Sequence, residues 1–234
     1  MKEKTGAVFS VTKDNPPMTG CTVSKEINEK PYIAYYSLAN GTDISAEIYP
    51  YHKLIIVDSG SIEVYCKGRA LPCRQGDGIL TPTDIPVGIK AKENAVYTEI
   101  MIWRTDIMNP MINAGEVFKL SKLVPYGDGK IVNMDVVHND KMKFVIMAFD
   151  AGTGLSEHAA PGEALIFALD GEGVIGYEGK EHMIKTGENF HFAKDGLHYV
   201  KANQKFKMAL LLTLEKTPSL PTMACFLNIC VLRT

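Results

Sequence analysis

Apolar residues along this chain come in short runs that glycine and turn residues interrupt, and the spacing of three and four that marks an amphipathic helix is rarely sustained. The segments YIAYYSL, KLIIVDSG, SIEVYCKG, GDGILTP, VYTEIMIW, KFVIMAF, ALIFALDGEG, VIGYEGK, NFHFA and FKMALLLTL all read as strands. DGEG and YEGKE read as hairpin turns, and SGSI and CKGRA take the same places in an earlier stretch. Many short antiparallel strands imply an all-β fold of the sandwich or jelly-roll barrel type, with few short helices.

The pattern also repeats. Residues 42–91 lie over residues 153–202 without a gap at a constant offset of 111, with Thr42/Thr153, Ser45/Ser156, Pro50/Pro161, Leu54/Leu165, Ile55/Ile166, Gly60/Gly171, Gly68/Gly179, Gly76/Gly187, Lys90/Lys201 and Ala91/Ala202 as identical pairs. Backward, with a two-residue length change, GAVFSVTK at Gly6 resembles GEVFKLSK at Gly115. The chain therefore reads as a tandem duplication of two barrels, 1–108 and 109–216, followed by an atypical tail, 217–234. The 234 residues suffice for two such units. The join falls in TDIMNPMINA, Thr105 to Ala114, where a short helix through Leu123 is expected to begin.

Composition narrows the partners. A formal charge of -2, with scattered lysines and arginines, gives no electrostatic reason to expect nucleic acid. No apolar run is long enough for a membrane span, and MKEKTGAVFSVTKDNPP lacks the features of a secretory leader, so a cytoplasmic protein without membrane contact is expected. Cys21, Cys66, Cys73, Cys225 and Cys230 lack zinc-ribbon spacing and read as reduced, structural thiols. The uncharged tail segment MACFLNICVL has three readings: an extra docked element, support for a homodimer contact, or a cloning remnant.

Candidate chemistry concentrates in the second copy. His158 and Glu163 are five apart, which sets them on opposite faces of an uninterrupted strand, but the intervening Pro161-Gly162 turn can reset the facing so that both point inward. Leu165 and Phe167 then follow Glu163 onto the inner face as an apolar wall of the pocket. His198 comes after a second turn, and two imidazoles with one carboxylate suit a first-row divalent metal with open positions. In the first copy the matching positions are Glu47, His52 and Val87, so no tight metal is expected there; Glu47 and His52 read as an internal polar pair. His191 faces outward if Phe190 and Phe192 fill the barrel, and the opposite facing makes it a substitute ligand. His182 and His138 read as solvated turn residues.

These residues resemble the cupin superfamily, specifically its two-domain bicupins. The family's first motif runs G, five residues, H-x-H, three or four residues, E, six residues, G; its second runs G, five residues, P-x-G, two residues, H, three residues, N. His158, four residues and Glu163 match the middle of the first, while Gly187, Ala193 and His198 fit the frame of the second. Ser156 stands at the first histidine of H-x-H, Asp150 and Asp170 stand at the first motif's glycines, and Ala193, Asp195 and Ala202 replace the proline, glycine and asparagine of the second. The resemblance implies two jelly-roll barrels, with Fe, Mn, Ni, Zn or Cu held by His158, Glu163 and His198 and a fourth position at Ser156. Because both copies carry that serine, it also reads as shared framework. The expected function is a metal-dependent small-molecule enzyme, dioxygenase-like or isomerase-like, and the alternative is a non-catalytic cupin that binds or senses a small metabolite such as a sugar.

Overall fold

The computed structural model describes residues 1–214, and the expectations about the tail, Cys225 and Cys230 lie outside them. Almost all regular structure is strand, as the alternation implies. The helical pieces are one turn at Val11–Asp14, capped by the Ser10 hydroxyl accepting from the Lys13 amide, and the 3-10 turn Leu120–Lys122. Of the helix expected through Leu123 only this last turn forms; Val117–Lys119, before it, is a short strand.

By internal contacts the chain forms two compact units, Met1–Glu3 with Ser10–Leu123, and Lys4–Phe9 with the chain from Val124 onward. The first contains a six-stranded sheet in the order Val117–Lys119, Asp77–Leu80, His52–Ser59, Ala95–Ile102, Ile33–Leu38, Thr22–Asn28. It also contains a four-stranded sheet, Asp43–Ile48, Pro86–Ala91, Ser61–Cys66, Arg69–Arg74. The second repeats the plan. One path runs Val8–Phe9, Asn189–Phe192, Ala164–Tyr177, Phe206–Thr213, Met142–Phe149, Ile131–His138, while Thr153–Ala159 pairs with Leu197–Ala202.

The two cores are built on the same offset as the sequence repeat. Leu38, Ile55, Val57, Val64, Cys73, Ile79 and Tyr97 fill the first, and Phe149, Ile166, Ala168, Ile175, Ile184, Phe190 and Met208 fill the second. Each residue burying its side chain against the opposite sheet removes apolar area from water at about 25 cal/mol per Å².

The turn expectations divide. YEGKE and CKGRA are hairpin turns, with Glu178 and Gly179 at φ 47° and 75° and Lys67 and Gly68 at 52° and 68°. Two successive positive φ values give the turn the strands' own twist. DGEG is not a turn: Ala164–Tyr177 is one continuous strand, paired with Asn189–Phe192 before Gly171 and with Lys180–Lys185 after it. Gly171, at φ +72°, follows the register shift between Ala168 and Asp170 and lets the strand pass from one sheet to the next.

Candidate functional site

In the second unit Thr153–Ala159 and Leu197–Ala202 run antiparallel, with His158 opposite His198 and a register shift between Leu155 and His158. The imidazole centroids are 4.3 Å apart at an interplanar angle of 53°. His158 Nδ1 lies 2.8 Å from the Ser156 carbonyl, and His198 Nδ1 lies 2.9 Å from the Gly196 carbonyl. A carbonyl only accepts, so each Nδ1 is the donor and each neutral ring keeps its lone pair on Nε2. Ser156 thus contributes through its backbone.

His198 is 5 % exposed and stacks on Phe192, centroids 4.1 Å apart and 24° from parallel. Phe190 lies 5.1 Å from Phe192, and Tyr177 packs against both. Burial lowers the His198 pKa; the Gly196 hydrogen bond opposes the shift, and the neighbouring His158 adds to it. Glycine makes room for the wall: a Cβ on Gly196 would lie 2.7 Å from the Tyr177 ring.

Glu163 stands elsewhere. Its Oε1 lies 3.6 Å from Nε2 of His191, whose side chain is 1 % exposed. Leu165 pairs in register with His191, and Phe167 meets Phe144 edge-on. Ala164, Ile166 and Ala168 belong to the barrel core together with Phe190 and Phe192. Glu163, Leu165 and Phe167 therefore occupy the opposite face of the strand from the histidine pair. The Pro161-Gly162 turn resets the facing, but it brings Ala164 rather than Glu163 to the inner position. Gly162 is tightly held there, since an added Cβ would lie 1.7 Å from the Thr213 carbonyl oxygen. His191 faces away from the core, as its alternation with the two phenylalanines requires, yet it is buried, accompanied by the Thr5 hydroxyl 3.2 Å from Nδ1.

Two imidazoles are thus brought together, and the third expected donor is not with them. Among the described residues no three His, Cys, Asp or Glu side chains converge as a metal-ion ligand set. The donor pair fits two coordination positions, short of the three a 2-His-1-carboxylate centre requires.

In the first unit Glu47 and Val87 are opposed in register, as His158 and His198 are in the second. Glu47 is exposed and accepts from the Tyr49 hydroxyl, whereas His52 Nδ1 donates to the Thr81 carbonyl at 2.6 Å. Sequence reasoning missed His182, which is half-buried and packs 5.1 Å from Phe190 rather than standing in a solvated turn. Its strand, Lys180–Lys185, carries the signal: His182 and the buried Ile184 are two apart and share a face. An open cavity of about 460 Å³ along the histidine-bearing strands is lined by Thr153, Leu155, Tyr199 and Lys201 among others, and by neither histidine.

Residues 145–214 match the family model Cupin_2, described as a cupin domain. A cupin 2 conserved barrel domain protein from Leptotrichia buccalis is 27 % identical, with a TM-score of 0.80 over 91 % of this chain and 98 % of that one. A salicylate 1,2-dioxygenase from Pseudaminobacter salicylatoxidans aligns at 11 % identity and a TM-score of 0.59, covering 77 % of this chain and 70 % of that one. A variant of oxalate decarboxylase from Bacillus subtilis aligns at 12 % identity and a TM-score of 0.52, over 91 % and 78 % of the two chains. The last two likenesses speak to fold alone. No curated protein matches the chain, and among the described residues no helix is long and apolar enough to cross a membrane. A cupin domain over residues 145–214 and a cupin-barrel neighbour along most of the chain together support its place in the cupin superfamily.

Proposed function

We propose that the chain is a bicupin whose second barrel binds a small, hydroxyl-bearing molecule through His158 and His198, in a non-catalytic role. The observation that supports this is the opposed imidazole pair with both Nδ1 atoms committed to carbonyls. The two Nε2 atoms accept hydrogen bonds from adjacent ligand hydroxyls, and Phe192 and Tyr177 supply an apolar wall. Burial keeps His198 uncharged near neutral pH and therefore able to accept.

A second reading is a metal-dependent enzyme, with Fe, Mn, Ni, Zn or Cu on the same Nε2 atoms and the dioxygenase or isomerase chemistry expected from the sequence. One observation favours it: an Nδ1–H tied to a carbonyl is how proteins orient a histidine for a metal. Glu163 would have to leave His191 to complete that ligand set.

Elemental analysis of the purified chain separates the readings. Substoichiometric metal, unchanged by His158→Ala, is expected for the binding role. Metal near one per chain that is lost in His158→Ala would overturn it in favour of the enzyme, and oxygen uptake with enediols and catechols would then be the assay. In the binding case, ligands found by thermal shift should lose at least tenfold in affinity in His198→Ala.

A further inference from the structure

The first barrel carries a polar cluster that neither the histidine site nor the repeat explains. Lys53, Ile55 and Val57 share the inner face of His52–Ser59, and Tyr97 and Glu99 share that of Ala95–Ile102, since Tyr97 pairs with Val57 and Glu99 with Ile55. Lys53 Nζ lies 3.3 Å from Glu99 Oε1 and 4.1 Å from the centroid of the Tyr49 ring. Tyr36 stacks on Tyr97 at 4.9 Å and 6°, and its hydroxyl lies 3.4 Å from that of Tyr32.

Glu99 is 3 % exposed and Tyr97 is fully buried, yet among the described residues Glu99 Oε2 and the Tyr97 hydroxyl have no hydrogen-bond partner. A buried polar group left unpaired costs about 1–3 kcal/mol. The second barrel has no such cluster: at the same offset it carries Ala164 for Lys53, Leu210 for Glu99, Met208 for Tyr97 and Met147 for Tyr36. An apolar filling suffices for this barrel, so the polar one is not needed for the fold.

We propose that Lys53, Glu99 and Tyr97 form a second ligand site, inside the first barrel, for a small, uncharged polyhydroxylated molecule. Lys53 and Glu99 offset each other's charge, which leaves no net charge to recruit an ion. Glu99 Oε2 accepts from one ligand hydroxyl, and the Tyr97 hydroxyl bonds to another. The Tyr36 and Tyr49 faces pack against C–H surfaces of the ring. From Tyr49 the aromatic contacts continue outward to Tyr51 at 5.0 Å and from there to Trp103, which is 44 % exposed.

Trp103 is the single tryptophan of the chain and reaches this cluster through Tyr51 and Tyr49, so its fluorescence reports on the first barrel. The experiment titrates D-ribose, D-xylose, D-glucose, D-fructose and myo-inositol into the full chain, followed by Trp103 fluorescence and by calorimetry. The expected result is a saturable change with at least one of them, kept in the His158→Ala, His198→Ala double variant and weakened tenfold or more by Tyr97→Phe. The Lys53→Ala, Glu99→Leu double variant, which installs the residues of the second barrel, should fold and lose the response. No saturable response with any of the five, or a response that survives Tyr97→Phe undiminished, overturns the proposal. A response abolished only by the histidine substitutions places the ligand in the second barrel and overturns it as well.

Discussion

Burial and the facing His158 hold the His198 imidazole below its ordinary value of 6.5. The unfolded chain then takes up the proton first as the pH falls, so His198 leaves stability at its full value above about 6.5 and lowers it below. Urea midpoints between pH 7.5 and 5 should decline in the native chain and decline less in His198→Gln. The Lys53–Glu99 pair gives a second residue-scale expectation. Glu99→Ala alone leaves a buried ammonium without its partner and should cost about 3–5 kcal/mol, while Lys53→Ala with Glu99→Leu should be close to neutral by chemical denaturation. At this scale legibility was uneven. His158 and His198 could be picked out because their types and turns matched a motif. The facing of Glu163 could not, because a Pro-Gly turn can deliver either of two successive residues to the inner face, and one residue of phase exchanges carboxylate for methyl. Lys53 and Glu99 lie in strands whose neighbours are apolar, and nothing in either strand alone shows that they meet.

At the scale of elements, the glycines separate by the space around them. Gly171 and Gly60, identical partners in the repeat, have φ of +72° and +71°, and an added Cβ on either would lie 2.0 Å from a backbone carbonyl oxygen. Gly179 has a similar φ of +75° with nothing within 4 Å. Gly179→Ala should therefore cost about 1 kcal/mol, and Gly171→Ala clearly more, about 2–3 kcal/mol or above, in urea unfolding. This contrast also shows why YEGKE could be read as a hairpin and DGEG could not be told from one. Both sequences ask for positive φ, which a hairpin turn and a strand passing between sheets satisfy equally well. Strand existence was legible where one face is strongly apolar, as in Ile33–Leu38, His52–Ser59 and Phe206–Thr213, but not in Thr22–Asn28, Asp43–Ile48 or Ile131–His138, whose residues are mostly exposed or half-buried. The Val117–Lys119 strand was harder: three residues give no period, and the strand is held by Phe118 packing over Gly78.

For the molecule as a whole, the repeat in the sequence set the architecture, and the cores keep its offset at position after position. Which sheet each of the two short edge strands joins was not legible, because their pairing depends on contacts far apart in sequence. Val8 pairs with Phe190, and its counterpart Val117 pairs with Ile79. Removing residues 1–9 should accordingly speed amide exchange in Asn189–Phe192, with little change in Asp77–Leu80, by mass spectrometry. A fragment ending at Leu123 should hold the first sheet better than one ending at Met108.

The two short strands have changed places. Each opens one repeat and completes the sheet of the other. A protein made of a single such repeat would have its sheet edge finished only by a second copy, as in a strand-swapped dimer. In this chain the exchange is intramolecular, a fixed local pairing that would otherwise need a concentration-dependent association. Within one chain the two interiors need not be identical: one carries a histidine pair and the other a lysine, a glutamate and a set of tyrosines.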